Sequence, residues 1–200
     1  MPTIEFVTIE VTDVTAAELF YKSAFGLGNR VQLRASEEPT SGFRGFTLSL
    51  IASQPATVDA LIGTALDASA RSLKPAAKSL WGYGGVVEAP DGTIWTVASS
   101  TKKDTSPASR EIDEFALQLG VADVAASKRF YVDRGVDVAK SYGRRYIEFD
   151  TGPVKLALYK RRALAKVAGV SADGTGSHRL RVGSDAGPFT DPDGFVWESP

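Results

Sequence analysis

Apolar and polar positions alternate in short runs along most of this chain, and the runs return in the same order. EFVTIEV (5–11) is β-branched and partly alternating, which predicts a strand. VTDVTAAELFY (11–21) then changes to helical spacing. Thr15 and Glu18 fit a capping box, in which hydroxyl and carboxylate each satisfy a free backbone N–H. Ala16, Leu19, Phe20 and Ala24 form the expected core-facing stripe, and Gly26 is placed to end the helix. Strands are predicted at 29–33 and 45–51. Pro55 suits the first turn of a second helix, with Val58, Leu61, Ile62, Ala65 and Leu66 on one face. Two short strands follow at 84–87 and 93–98, with Asp91-Gly92 as a turn signal between them.

The pattern then starts again. EFALQLGV (114–121) leads into VADVAASKRFY (121–131), which matches the opening VTDVTAAELFY in Val, Asp, Val, Ala, Phe and Tyr. A helix is expected over 125–133, strands at 136–140, 145–150 and 154–159, a short helix over 161–168 stopped by Gly169, and a strand around 179–182. Each half closes alike, on APDGTIWTV (89–97) and DPDGFVWES (191–199). The polar, proline-containing stretch 101–111 reads as a linker between domains 1–100 and 112–200. The first half is short of strands early, and the second lacks its second amphipathic helix. Strand, helix and strands repeated with short links define an α+β class, with the apolar alternation buried between sheets and helices.

Composition narrows the chemistry. The 200 residues carry a formal charge of −1, so no strong field favours nucleic acid or an anionic membrane. Without cysteine there is no disulfide, thiolate metal site or cysteine nucleophile. No apolar run approaches the roughly 20 residues of a membrane helix, and a soluble cytoplasmic protein is expected. His178 is the one histidine, so no multi-histidine metal site can form within a single chain. No motif frames a serine for triad chemistry, and Gly174-Thr-Gly176 lacks the context of a phosphate loop.

Val11-x-Asp13-Val14…Phe20-Tyr21, its copy Val121-x-Asp123-Val124…Phe130-Tyr131, and both Pro-Asp-Gly-x-x-Trp endings resemble the vicinal oxygen chelate superfamily. Its members include glyoxalase I, bleomycin-resistance proteins and extradiol dioxygenases. The resemblance implies tandem glyoxalase-like βαβββ modules, forming curved mixed sheets with helices outside, both domains partly truncated. It also implies a divalent metal held by His, Gln or Glu on inward strand positions. Carried over residue by residue, those positions fall at Phe6, Ala116, Ala157 and Thr96, near Gly45, near 177–179, and at Glu198. Only Glu198 matches the ligand pattern, and His178 is the other candidate donor. The expectation is therefore a protein without an intact metal site, with no cofactor and no assigned catalytic residue.

What remains is the cavity. The bleomycin-resistance branch implies binding of a small, apolar or planar organic molecule. Trp81 and Tyr83, set among glycines, either wall such a pocket or cover the sheet edge. Phe6 is expected to point into it. Trp95 and Trp197, each one residue before a ligand-type position, are expected to face away and pack beneath helices. Tyr142, Arg144 and Arg145 read as an exposed hairpin turn. Two other readings stand beside the binding protein. One is a metal-dependent lyase, isomerase or dioxygenase using Glu198 with donors from a second chain. The other is a structural or regulatory partner with a collapsed pocket. Modules can pair within a chain or across a homodimer.

Overall fold

The computed structural model describes residues 1–200. The elements are β1 (Ile4–Val11), α1 (Val14–Ala24), β2 (Val31–Ala35), β3 (Thr40–Gly42), β4 (Phe46–Ile51), α2 (Pro55–Asp67), β5 (Arg71–Ser79), β6 (Gly82–Glu88) and β7 (Ile94–Ser99). The second half adds β8 (Glu114–Val121), α3 (Val124–Val132), β9 (Asp137–Ser141), β10 (Tyr146–Asp150), β11 (Lys155–Lys160), α4 (Arg161–Ala168), β12 (Gly174–Gly176), β13 (Leu180–Ser184), β14 (Phe189–Thr190) and β15 (Val196–Glu198). No helix is long and apolar enough to cross a membrane.

The repeat is explained first by its aspartates. Asp13 and Asp123 are the helix N-caps, accepting from Ala16 N and from Ala125 and Ala126 N respectively. A carboxylate satisfies the free N–H groups and meets the positive helix end. The capping box expected at Thr15 and Glu18 is not formed: the cap is Asp13, two residues earlier, and the N3 residue is Ala16, which cannot return a side-chain bond. The buried stripe of α1 moves with it: Ala17, Phe20, Tyr21 and Ala24 are inside, while Leu19 is exposed. Tyr21 faces inward because its hydroxyl donates to Asp91 Oδ2 (2.6 Å) and its ring lies 5.5 Å from that of Trp95.

The Pro-Asp-Gly-x-x-Trp endings are the other half of this device. Tyr131 donates to Asp191 as Tyr21 does to Asp91, and its ring lies 5.2 Å from that of Trp197. Both tryptophans are fully buried beside helices, as their alternation along the strand requires. The two copies are not identical. Asp193, in the place of Asp91, instead holds Ala122 N and Ser127 Oγ, and the tyrosine partner is the aspartate before the proline.

Sheet pairing crosses the sequence repeat. One sheet has eight strands in the order β5-β6-β7-β4-β8-β11-β10-β9, and a second has five, β14-β15-β13-β1-β2. The eight-stranded sheet joins β4 to β8 antiparallel, and the five-stranded sheet joins β1 to β13. The stretch 101–111 thus divides the sequence repeat but not the sheets. It has no helix or strand, yet it is fastened. Gln54 bonds Thr105, Ser106 and Pro107, and Asp104 caps Ala56 N at the start of α2. A single core of 38 residues includes apolar faces from both sheets and from α1 to α3. The opposite face of the eight-stranded sheet, its open face, carries α4 with the segment after it, where Val170 and Ala172 pack beside Phe43.

Candidate functional site

The open face is read most directly from the strand register. Ser49 on β4 lies opposite Thr96 on β7 and Ala116 on β8. The next row along runs from Thr47 through Gln118 and Ala157 to Glu148 and Lys140. The residues expected at metal-type positions in the middle of the chain therefore share one surface: Thr96, Ala116 and Ala157. Gly45 does not join them. It precedes β4 and lies against Arg161 and His178, and the β4 residue between Thr96 and Ala116 is Ser49. Sequence alignment of the two halves missed Ser49, because the register of β4 between β7 and β8 is a tertiary property.

Helix α4 covers one end of this face. Leu164, Ala165 and Ala168 pack with Phe43, Val86 and Ile94 as a separate small core. Gly120 permits the approach, since a Cβ there would lie 3.0 Å from Arg161 Cα. Lys74 on β5 donates to the carbonyls of Lys166 (2.6 Å) and Val167 (2.7 Å), closing the negative end of the helix. Beyond α4 a cleft of about 430 Å³ remains, lined by Ala77, Trp81, Gly84, Thr96, Ala98 and Val167 among others. Trp81 stands at the tip of the β5–β6 hairpin, 85% exposed. Tyr83 contributes to the cleft wall, but its hydroxyl turns to α2 and donates to Asp59 Oδ1 (2.7 Å).

The far wing of the face is polar and aromatic. Tyr146 donates to Glu148 Oε2 (2.6 Å), Lys140 pairs with Glu148 Oε1 (3.0 Å), and the Tyr146 and Tyr159 rings meet edge to face at 5.0 Å. Tyr142 is exposed in the turn beyond, its ring 5.9 Å from that of Tyr146. Burial pushes the Glu148 carboxyl upward, but the Tyr146 and Lys140 hydrogen bonds outweigh it and hold it below the ordinary carboxylate range. A carboxylate lowered in the folded state stabilises above its unfolded pKa, about 4.3, and loses that contribution as pH falls through the folded pKa. Glu148→Gln is therefore expected to lower Tm at neutral pH and to converge with the wild type in acid. Melting curves recorded from neutral pH into acid test this, and a Tm difference independent of pH would contradict it.

The five-stranded sheet holds the remaining candidates. Phe6 and Glu198 lie on either side of Gly183 in one row. The Phe6 ring fills the space over Gly183, where a Cβ would come within 2.4 Å of it. Glu198 is held by Arg34 through two hydrogen bonds of 3.1 Å and by Thr8 at 3.3 Å. His178 Nδ1 lies 2.5 Å from Arg44 O, its Nε2 lies 3.0 Å from Asp193 O, and its ring stacks on Phe195 at 4.0 Å. Both nitrogens face backbone carbonyls, to one of which a neutral imidazole can donate, and His178 bridges the second Pro-Asp-Gly turn and the segment before β4. Phe6, Glu198 and His178 do not converge with Trp81, Thr96, Ala116 and Ala157.

These positions do not fit a divalent ion of the family type. On the eight-stranded sheet they supply two hydroxyls and two methyls, where a metal needs several convergent imidazole, amide or carboxylate donors. On the five-stranded sheet the carboxylate at such a position, Glu198, is paired with the Arg34 guanidinium.

Comparison with solved structures agrees with this architecture. Glyoxalase I from Zea mays aligns over 98% of this chain and 91% of its own, with 13% identity and a TM-score of 0.62. A putative dioxygenase from Bacillus subtilis covers 90% of this chain and 69% of its own, at 10% identity and a TM-score of 0.55. No protein-family profile matches the sequence, and no curated protein matches it. The chain shares the fold of these glyoxalase I and dioxygenase structures.

Proposed function

We infer that this protein binds a small, apolar or planar organic molecule in the cleft of the eight-stranded sheet, without metal chemistry. The observation that carries this reading is a cleft walled by small side chains, Ala77, Gly84, Thr96 and Ala98, and flanked by an exposed indole. Where the family's enzymes place bulky metal-binding side chains, this chain has Thr96 in the cleft and Ser49, Ala116 and Ala157 beside it on the same sheet face. Small side chains leave room for a flat ligand, and an indole face stacks on one.

Trp81 makes the reading measurable, because Trp95 and Trp197 are fully buried and Trp81 is not. Acrylamide is expected to quench Trp81 selectively. A ligand found by thermal-shift screening of planar antibiotics and metabolites should raise Tm and protect Trp81 from the quencher. Ala98→Trp, which fills the cleft, should abolish both effects. If no compound shifts Tm, the packing of α4 on the open face favours the collapsed-pocket reading instead. Stoichiometric metal in protein purified without chelator, measured by elemental analysis, would favour a metal-dependent enzyme.

A further inference from the structure

The two halves of the chain differ at one sheet edge. In the second half α3 packs over β11 and β10. Leu156 and Leu158 of β11 stand opposite Phe149 and Ile147 of β10, all four are buried, and the Phe149 ring meets that of Tyr131 at 5.6 Å. In the first half β2 takes the place of β11. It pairs parallel with β1 as β11 does with β8, and the two registers match Val31 to Leu156 and Leu33 to Leu158. Nothing pairs beyond β2, which is an edge of the five-stranded sheet. A groove of about 460 Å³ runs beside it, bounded by Tyr21, Leu27, Val31 and Leu33, with Glu18 and Lys22 on its rim. Tyr21, Val31 and Leu33 are the counterparts of the residues that enclose Phe149 and Ile147. The groove is thus the slot of a strand that the first half lacks.

The edge also offers backbone hydrogen-bonding groups. Ser36 N donates to Val11 O, so alternation turns Arg34 and Gln32 toward β1 and leaves the N–H and C=O of Leu33 and Ala35 facing outward. Val31 offers its carbonyl alone, because its N–H bonds Gly28 O. Native sheets normally blunt such edges. β5 is interrupted by bulges and carries Lys74, Pro75 and Lys78; β9 carries Asp137 and Lys140; β14 has two residues and follows Pro188. β2 has neither bulge nor proline, and its one charge, Arg34, lies on the face away from the groove, held by Glu198.

We propose that the β2 edge accepts an extended peptide segment of a partner protein as a further, antiparallel strand, with two apolar side chains of the segment, two residues apart, filling the groove beneath α1. Main-chain bonds to Leu33 and Ala35 supply affinity, and the groove supplies selectivity. The residue between the two apolar ones emerges on the other face beside Arg34. That guanidinium spends one N–H of Nη1 and one of Nη2 on Glu198, and its remaining N–H groups suit a carboxylate. The partner motif is therefore apolar–acidic–apolar. A second copy cannot fill the slot with its own β2, since two-fold pairing would bring both α1 helices over the same two strands. This surface is on a different sheet from the cleft and does not depend on it.

The test uses the full chain and a peptide copied from the second half, acetyl-Arg-Tyr-Ile-Glu-Phe-Asp-Thr-amide, the sequence of residues 145–151. Its binding is read by fluorescence anisotropy of a labelled form and by amide hydrogen exchange. Saturable binding is expected, with slowed exchange at Leu33 and Ala35. Serine in place of the peptide's Ile and Phe should weaken binding at least about tenfold, as loss of two buried apolar side chains requires. N-methylation of the peptide at Ile or Phe, whose N–H groups face β2, should weaken it about tenfold, while N-methylation at Glu should weaken it far less. Leu33→Asp, which sets a charge in the groove, should abolish binding with the near-UV circular dichroism unchanged. Should that variant not fold, the N-methyl series on the wild-type chain decides alone. No binding up to about 1 mM peptide would overturn the proposal. So would equal sensitivity to all three N-methyl positions, undiminished binding by folded Leu33→Asp, or a dimer whose Leu33 and Ala35 amides are protected without peptide.

Discussion

Trp95→Ala is expected to lower the unfolding free energy by about 3–5 kcal/mol, the usual cost of truncating a fully buried large aromatic. Trp95 is 0% exposed, and its ring lies 4.8 Å from Phe25, 5.5 Å from Tyr21 and 6.0 Å from Phe115. It therefore joins α1 to β7 and β8 at once, and no neighbour can collapse into its place without releasing another contact. For a domain stable by about 5–15 kcal/mol this is a large share, and a chain of this size should lose about 10 °C in Tm. Urea denaturation and thermal melting give the two numbers independently. Trp81→Ala, by contrast, should stay within about 0.5 kcal/mol, because an exposed hairpin tip carries no packing. If the two variants melted alike, the assignment of Trp95 to the core and Trp81 to the cleft mouth would be wrong.

Asp191→Ala should cost at least as much per atom removed. Asp191 is buried, and it accepts from the Tyr131 hydroxyl and from Phe195 N and Asp193 N, both at 2.9 Å. Alanine strands three donors, each at about 1–3 kcal/mol when buried without a partner, so the total is expected to exceed about 3 kcal/mol. Tyr131→Phe removes only one bond and leaves the backbone donors satisfied, so it should cost about 1–2 kcal/mol. Burial raises the Asp191 carboxyl above the ordinary range, with its hydrogen bonds opposing. The folded state then binds that proton more tightly than the unfolded chain does. The contribution of this one group therefore rises as pH falls through the raised pKa toward about 3.9. Its sign is opposite to that of Glu148. A double-mutant cycle of Tyr131→Phe with Asp191→Asn, repeated at neutral and acid pH, isolates the pair.

Much of this architecture was legible in the repeated motifs. The Val-x-Asp and Phe-Tyr segments located both opening helices, and the Pro-Asp-Gly-x-x-Trp endings located buried indoles, since alternation along a strand is strict. The helix ending at Gly169 was also legible, because a left-handed residue at φ 79° suits glycine. Other parts were not. β5 was missed because its sequence, RSLKPAAKS, has little apolar alternation and a proline, as an edge strand tolerates. The stripe of α1 was misplaced by one residue at Ala16 and Leu19, because only the tertiary partner Asp91 decides that Tyr21 turns inward. The position of α4 over the open face, and the pairing of Ser49 with Thr96, depend on which strands become neighbours, and no local pattern records that. For the same reason the sequence grouped Phe6 with Thr96 and Ala116, whereas folding placed them on different sheets.

The joining of Ile4 to Ser184, far apart in sequence, has a consequence for biosynthesis. As the polypeptide emerges from the ribosome, β1 finds no antiparallel mate until β13 (Leu180–Ser184) has been made. β1 must wait, with its apolar side uncovered apart from α1 and β2, while the eight-stranded sheet forms behind it. Such late closure makes assembly slow and vulnerable to aggregation. A chain halted before residue 180 is left with a sticky N-terminal edge that a chaperone would have to shield.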